Sequence, residues 1–200
     1  MWDEFVKRIT KAEPLPQTAS SPPRIGTKNR LSSTVVVGLG NDVLTDDGVG
    51  LYVARYLRQL LDPDRYTIFE LSVGGMELVE HLLGYKRAVV IDACRTGRHA
   101  AGTLTHHGPQ DFSATLRLAS YHTMNFATAL ELAHLLGAAL PEQIDVFAIE
   151  VEDVETISED CTPKLAARLP ALADEIAQIL KGQEEPRERV TTPDSRDGRG

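Results

Sequence analysis

The chain has 200 residues, 42% hydrophobic and 25% charged, close to the globular average and unlike collagen, coiled-coil or fully disordered compositions. A formal charge of −8 with no long basic run speaks against a nucleic-acid partner. A mean hydropathy of −0.19, with no window near the roughly 20 apolar residues of a bilayer span, speaks against a membrane protein. Two cysteines far apart, Cys94 and Cys161, make neither a CxxC site nor a disulfide framework. The opening MWDEFVKRIT lacks the apolar stretch of a secretory signal, so the chain reads as a cytoplasmic protein.

Residues 1–33 carry Pro14, Pro16, Pro22 and Pro23 among small polar residues and read as a flexible N-terminal extension, with Trp2, Phe5, Val6 and Ile9 on one side of a short helix. The folded body then spans 34–180, large enough for one core. TVVVGLG at 34–40 is a β-branched run ending in glycine, the pattern of a buried parallel strand. A helix over 46–61 carries Val49, Val53 and Leu57 on one stripe. A strand at 65–72 and a short helix at 76–83, stopped by Gly84, follow. KRAVVIDA at 86–93 is a third strand, and GTLTHHG at 102–108 is polar on alternate residues, as at a sheet edge. A helix over 125–136 closes at Gly137, a strand covers 143–151, and Thr162 with Pro163 starts a last helix toward Leu180 that Pro170 should kink or break. Residues 181–200 hold one Val and no other large apolar side chain and read as a disordered tail. Alternating strands and helices with apolar central strands predict an α/β fold, a three-layer α/β/α sandwich. Strand one is expected to be central and the 102–108 strand to lie at an edge or run antiparallel.

The most informative stretch runs from Gly38 to Gly50, GLGNDVLTDDGVG, between the first strand and the first helix. Ligands of open α/β sheets bind beyond the carboxyl ends of the strands. Gly38-x-Gly40, with Glu70 as a ribose-binding acid, suggests a dinucleotide site, but Val43 occupies the third glycine position. A diphosphate there would also meet Asp46 and Asp47 instead of free amides, so the pair suits a cation or an electropositive substrate better. One capping acid at a helix start is ordinary; two adjacent acids exceed what capping needs.

Asp92 closes the apolar AVVIDA strand at the same sheet edge, where a carboxylate either satisfies loop amides or serves a site. His122 lies in SYHTMN, a connecting segment just before a helix. His81 and His134 fall in helical patterns, His99 in a glycine-flanked loop, and His106 with His107 on the edge strand, an unspecific metal lure. Asp47, Asp92 and His122 together form an oxygen-oxygen-nitrogen set from three loops, suited to a borderline divalent ion such as nickel or zinc. Recognisable nucleophile motifs are missing. There is no Gly-x-Ser-x-Gly elbow and no H-E-x-x-H helix, and neither Cys94 nor Cys161 has an evident base.

VVVGLGNDVLTDDGVGLYVARYL resembles the opening of the hydrogenase maturation proteases, endopeptidases that trim the C-terminus of the large subunit of nickel-iron hydrogenases. The resemblance continues through Gly74-Gly75-Met-Glu-Leu-Val, AVVIDA, the His122 segment and QIDVFAIEV, and leaves both tails outside. Its most specific part is G-x-G-N-x-x-x-x-D-D-G-x-G. It implies a five-stranded sheet with one antiparallel strand, and metal contacts at Asp47, Asp92 and His122, which would also be the catalytic residues. It further implies a hydrogenase large-subunit precursor as partner, with substrate-borne nickel as the recognition element, no organic cofactor and a monomeric enzyme. A metal presented by the substrate would supply the Lewis acid that the chain's own motifs lack. Asp46 and Asn41 become loop-shaping candidates, and Gly38, Gly40, Gly48 and Gly50 would allow tight turns and close substrate approach. Three departures stand out: Asp47 where close relatives often have Glu, Ser72-Val73-Gly74-Gly75 in place of an Asp-x-Gly-Thr turn, and Glu150-Val151-Glu152-Asp153 in place of a Gly- and Pro-containing stretch. The last two are expected to touch the substrate groove. The alternatives are a non-proteolytic nickel- or zinc-binding maturation chaperone with the same three ligands, and a nucleotide-binding α/β protein.

Overall fold

The computed structural model describes residues 34–108 and 126–183. The strands are β1 (Thr34–Leu39), β2 (Tyr66–Leu71), β3 (Arg87–Cys94), β4 (Leu104–His107) and β5 (Gln143–Glu150); the helices are α1 (Val49–Leu60), α2 (Gly75–Leu82), α3 (Phe126–Leu135) and α4 (Pro163–Gly182). All five strands form one sheet in the order β2-β1-β3-β5-β4. β2, β1, β3 and β5 run parallel, and β4 pairs antiparallel with β5 at the edge. β3 is the middle strand and β1 its neighbour, a displacement by one place from the expected central β1.

Both faces of the sheet are covered, which is why the strands read as continuous apolar runs. Val36, Val89, Ile91, Phe147 and Ile149 face a core shared with α1 and α4, including Val53, Leu57, Leu165, Leu172 and Ile176. Val35, Val37, Ala88, Val90 and Val146 face the opposite core with α2 and α3, through Leu78, Leu82, Phe126 and Ala129. The alternation along each strand is the period-2 pleat, read twice.

Helix ends follow local chemistry in two cases and long-range chemistry in a third. α3 closes in a Schellman motif, with Gly137 at φ +72°, its N–H on His134 O at 3.0 Å and Ala138 N–H on Ala133 O at 3.0 Å. Gly84, at φ +77°, sits just past the end of α2 in the same left-handed role. At α4, Pro163 takes the first helical position as expected, but the Thr162 hydroxyl makes no bond to its own helix. Pro170 neither breaks nor ends α4, which is continuous from Pro163 to Gly182. Pro170 and Ala166, whose carbonyl it leaves without an amide, both lie on the exposed face, where water can serve that carbonyl. The helix thus runs two residues past the expected boundary at 180. The calls on 1–33 and on most of the tail fall outside the described residues.

Candidate active site

β1 and β3 are neighbours, yet the chain leaves β1 through α1 to β2 on one side and reaches β3 through α2 on the other. The two strands flank a switch point of the sheet, the place where α/β folds bind ligands. Asp47 follows β1, and Asp92 lies near the end of β3. The register pairs Gly38 with Ile91, so Asp92 stands one step beyond, level with Leu39.

Asp47 does not begin the helix as expected. Residues Thr45–Gly48 form a 3₁₀ turn ahead of α1. Asp47 N–H closes that turn on Leu44 O at 2.8 Å. The turn is pressed onto the sheet by glycines that need space rather than unusual φ. A Cβ at Gly50 would stand 2.2 Å from Leu39 O and 2.4 Å from Ile91 O, and one at Gly40 would stand 2.5 Å from Asp47 O. Gly38, Gly40, Gly48 and Gly50 are absent from the positive-φ glycines of the described residues, and at Gly38, Gly40 and Gly50 the missing Cβ allows close packing of the turn and α1 on β1 and β3. Both candidate carboxylates are enclosed: Asp47 is 6% exposed and Asp92 0%. Asp92 Oδ1 accepts the N–H of Ala93 at 2.9 Å.

His122 lies outside the described residues. α3 begins four residues later, at Phe126, in the core on the face of β3 that carries Ala88 and Val90, the face on which alternation also places Asp92. α3 ends close to the start of β5, with a short link over 136–142, so it begins toward the opposite edge, where Asp92 lies. Among the described residues there is no group of three or more His, Cys, Asp or Glu able to hold a metal ion. The His106-His107 pair is engaged elsewhere. His106 stacks on Phe147 with centroids 4.6 Å apart and meets Asp145 Oδ1 through Nε2 at 2.8 Å, while His107 Nε2 meets Thr105 Oγ1 at 2.8 Å. Glu70, the ribose acid of a dinucleotide reading, is held by Arg55 at 2.6 Å and Arg58 at 3.1 Å.

Three carboxylates build the walls of this edge, and only Asp46 among them was a loop-shaping candidate. Asp46 does not cap the helix it precedes; its oxygens take N–H groups of Glu152, Asp153 and Thr162 and the Thr162 hydroxyl. Glu150, 3% exposed at the end of β5, accepts Thr96 N–H and Gly97 N–H at 2.7 Å each on Oε1, and the Thr96 hydroxyl at 2.7 Å on Oε2. Burial opposes ionisation of Glu150, but the bonds from Thr96 and Gly97 outweigh it and hold the carboxyl below its ordinary value. Asp153 accepts Glu155 N–H at 3.0 Å and Thr156 N–H at 2.9 Å and shapes the β5–α4 loop. A sequence signal for Glu150 did exist: QIDVFAIE closes an apolar strand with an acid just as AVVIDA does.

The cysteines are not poised as nucleophiles. Burial, reinforced by the Glu150 carboxylate, pushes the Cys94 thiol up to about 12, and its Sγ lies 3.6 Å from Glu150 Oε2. Burial, with Asp46 and Asp160 nearby, pushes Cys161 to about 12. Thiolate is scarce at neutral pH in both places.

Comparison with known proteins concerns the family and the fold. The chain is 26% identical over 161 residues to the hydrogenase 2 maturation protease of Escherichia coli K12, covering 78% of this chain and 97% of that protein. It is 25% identical over 157 residues to the hydrogenase expression/formation protein HupD of Bradyrhizobium diazoefficiens, covering 77% and 81%. The fold is like that of the hydrogenase maturating endopeptidase HybD from Escherichia coli, at a TM-score of 0.64 and 23% identity over 76% of this chain and 94% of that one. A NiFe hydrogenase maturation protease from Thermococcus kodakarensis, HycI, superposes at 0.56 and 24% identity, over 75% and 93%. The family model described as hydrogenase maturation protease matches residues 51–179, which include Asp92 and His122 and begin just after Asp47. That match covers well over half of the chain and decides for a peptidase over a non-proteolytic chaperone or a nucleotide-binding protein: the chain belongs to the hydrogenase maturation protease family.

Proposed function

We propose that the protein removes the C-terminal extension of a nickel-iron hydrogenase large-subunit precursor after nickel insertion, and that the nickel held by that precursor is what it recognises. Asp47, Asp92 and His122 contact the metal in this reading. Two acceptor-only carboxylates and a neutral imidazole suit a borderline divalent ion. The nickel belongs to the substrate, so the enzyme needs no resident cofactor. As part of the substrate it supplies Lewis acidity next to the scissile carbonyl. Asp47 or Asp92 takes the proton of the attacking water, and the enclosure of both limits competing solvent. The enzyme acts as a monomer in the cytoplasm.

The observation that carries the reading is the meeting of the Asp47 turn and the Asp92 strand end at the β1–β3 switch point, in a chain of this family. No cysteine or serine elbow competes with it. Mass spectrometry of a purified precursor, nickel-loaded and nickel-free, before and after incubation is the test. Loss of a C-terminal peptide from the loaded form alone is expected. Equal cleavage of both forms sinks the recognition role of nickel, and cleavage of neither sinks the substrate. His122→Ala is expected to abolish cleavage while leaving thermal unfolding unchanged; undiminished cleavage removes His122 from the site.

A further inference from the structure

Asp46 sits directly before Asp47 and is 0% exposed, and the donors to its carboxylate come from one distant segment. Oδ1 accepts Thr162 N–H at 2.8 Å. Oδ2 accepts Glu152 N–H at 3.4 Å, Asp153 N–H at 3.2 Å and the Thr162 hydroxyl at 3.2 Å. Its own N–H donates to Asp153 O at 2.9 Å. Only a carboxylate offers four acceptor positions and no donor, so an amide in its place would aim N–H groups at N–H groups.

Two features show that this clamp does more than close a loop. Thr162 occupies the N-cap position of α4, where its hydroxyl would ordinarily serve the helix, but that hydroxyl goes to Asp46 instead. On the other side of Asp46, Thr45 stands at φ +24°, a conformation that a β-branched residue avoids, and its hydroxyl donates to Thr156 O at 2.6 Å. A forgone local cap and a strained residue both flank the same carboxylate. Such strain persists only where the surroundings over-determine it, and it concentrates at functional sites.

We infer that Asp46 is a positioning residue: by tying the 3₁₀ turn to the 152–162 loop it holds Thr45 in its strained conformation and fixes Asp47 over the edge of β1 and β3. The inference rests on the reading of Asp47 as a working carboxylate. Misplacement of a reacting group by about 1 Å costs on the order of a hundredfold in rate. Asp46→Asn is therefore expected to lower kcat for the nickel-loaded precursor by about tenfold to a hundredfold. KM should rise as well, because Asp47 also contacts the substrate's nickel in that reading, so kcat/KM falls further than kcat. Both are read at a temperature where thermal unfolding shows the variant fully folded, so instability cannot imitate the effect.

Hydrogen exchange supplies a readout that needs no substrate. Amides of residues 45–48 are expected to exchange at least about tenfold faster in Asp46→Asn, with those of 35–39 and 88–93 unchanged. If the wild-type enzyme cleaves nothing, the functional reading falls while exchange still decides on the clamp. Unchanged exchange at 45–48, or a wild-type kcat in the folded variant, overturns the inference. Should Asp46→Asn fail to fold, Thr162→Val removes the hydroxyl donor alone and is expected to accelerate exchange at 45–48 less strongly. No acceleration there overturns the inference equally.

Discussion

Glu150 ends β5 and Asp92 lies near the end of the neighbouring β3, and the partners of Glu150 show what a buried strand-end carboxylate can do for the fold. Glu150 is saturated by Thr96 and Gly97, which anchor the loop after β3 to the end of β5. Glu150→Gln keeps one oxygen for the two backbone N–H groups and should cost about 1 kcal/mol in chemical denaturation. Glu150→Ala leaves both donors without that acceptor and should cost about 3 kcal/mol. Because the folded carboxyl is held below its ordinary value, its contribution is present at neutral pH and falls away as pH drops below the free glutamate value of about 4.3 and through its depressed folded value. The acid limb of the stability curve should accordingly be shallower in Glu150→Gln; an unchanged limb would show that Glu150 is not a linked group. The cysteines supply a second residue-scale expectation. Both thiols sit near 12 and are buried, so iodoacetamide at pH 8 should leave Cys94 and Cys161 unmodified in the native protein and alkylate both after denaturation. Rapid native labelling of either, seen by mass spectrometry, would reopen a nucleophile role.

At the scale of elements, the entry into α1 shows how backbone proximity replaces side-chain contact. Gly50 lies under the carbonyls of Leu39 and Ile91, so helix and sheet touch main chain to main chain, and the turn bearing Asp47 is carried down onto β3. Gly50→Ala would place a methyl 2.2 Å from one carbonyl and 2.4 Å from another. Neither can move without disturbing a parallel ladder, so a loss of about 3 kcal/mol or more is expected in denaturant melts. A loss under about 0.5 kcal/mol would mean that α1 can shift freely. The loops across this edge are tied in series. Tyr52 on α1 donates to Glu159 O at 2.6 Å, Thr45 reaches Thr156, and Arg95 meets Glu155 at 3.0 Å. The Arg95–Glu155 pair is well exposed and adds little to stability; the buried ties through Asp46 and Glu150 carry the connection.

For the whole molecule, the sheet carries the Asp46, Asp47, Asp92 and Glu150 carboxylates at one end and a second polar cluster at the other. Near the start of β3 and β5, Arg87 pairs with Asp145 at 2.7 Å, which also receives Gln143 at 2.9 Å, and Arg87 donates to Gln183 just past α4. Gln183 therefore belongs to the domain. Removal of 184–200, a stretch whose only large apolar residue is Val190, should change stability by less than about 0.5 kcal/mol. Removal from 183 onward also takes an acceptor from Arg87 and should cost more. A fall of several degrees in Tm for the shorter truncation would show that the tail docks.

How much of this was legible in the sequence follows from the range of each interaction. Continuous apolar runs marked the strands of the buried parallel sheet, because burial on both faces favours apolar side chains along most of each strand. Alternate polarity marked 102–108 as the edge, and Gly84 and Gly137 marked helix ends, because those constraints act within a few residues. The double acid after β1 and the acid near the end of β3 were placed at one edge of the sheet by sequence alone, because position near a strand end follows from topology. The role of Asp46 was decided only in three dimensions. The partners of Asp46 lie 106 to 116 residues away, and no local pattern announces them. Glu150 likewise gained its role from a loop 53 and 54 residues earlier. Pro170 stayed inside a helix because the tertiary fold turned its freed carbonyl toward water. Local chemistry therefore determined the elements and the edge at which the carboxylates gather; long-range hydrogen bonding decided that Asp46 and Glu150 tie the loops of that edge together.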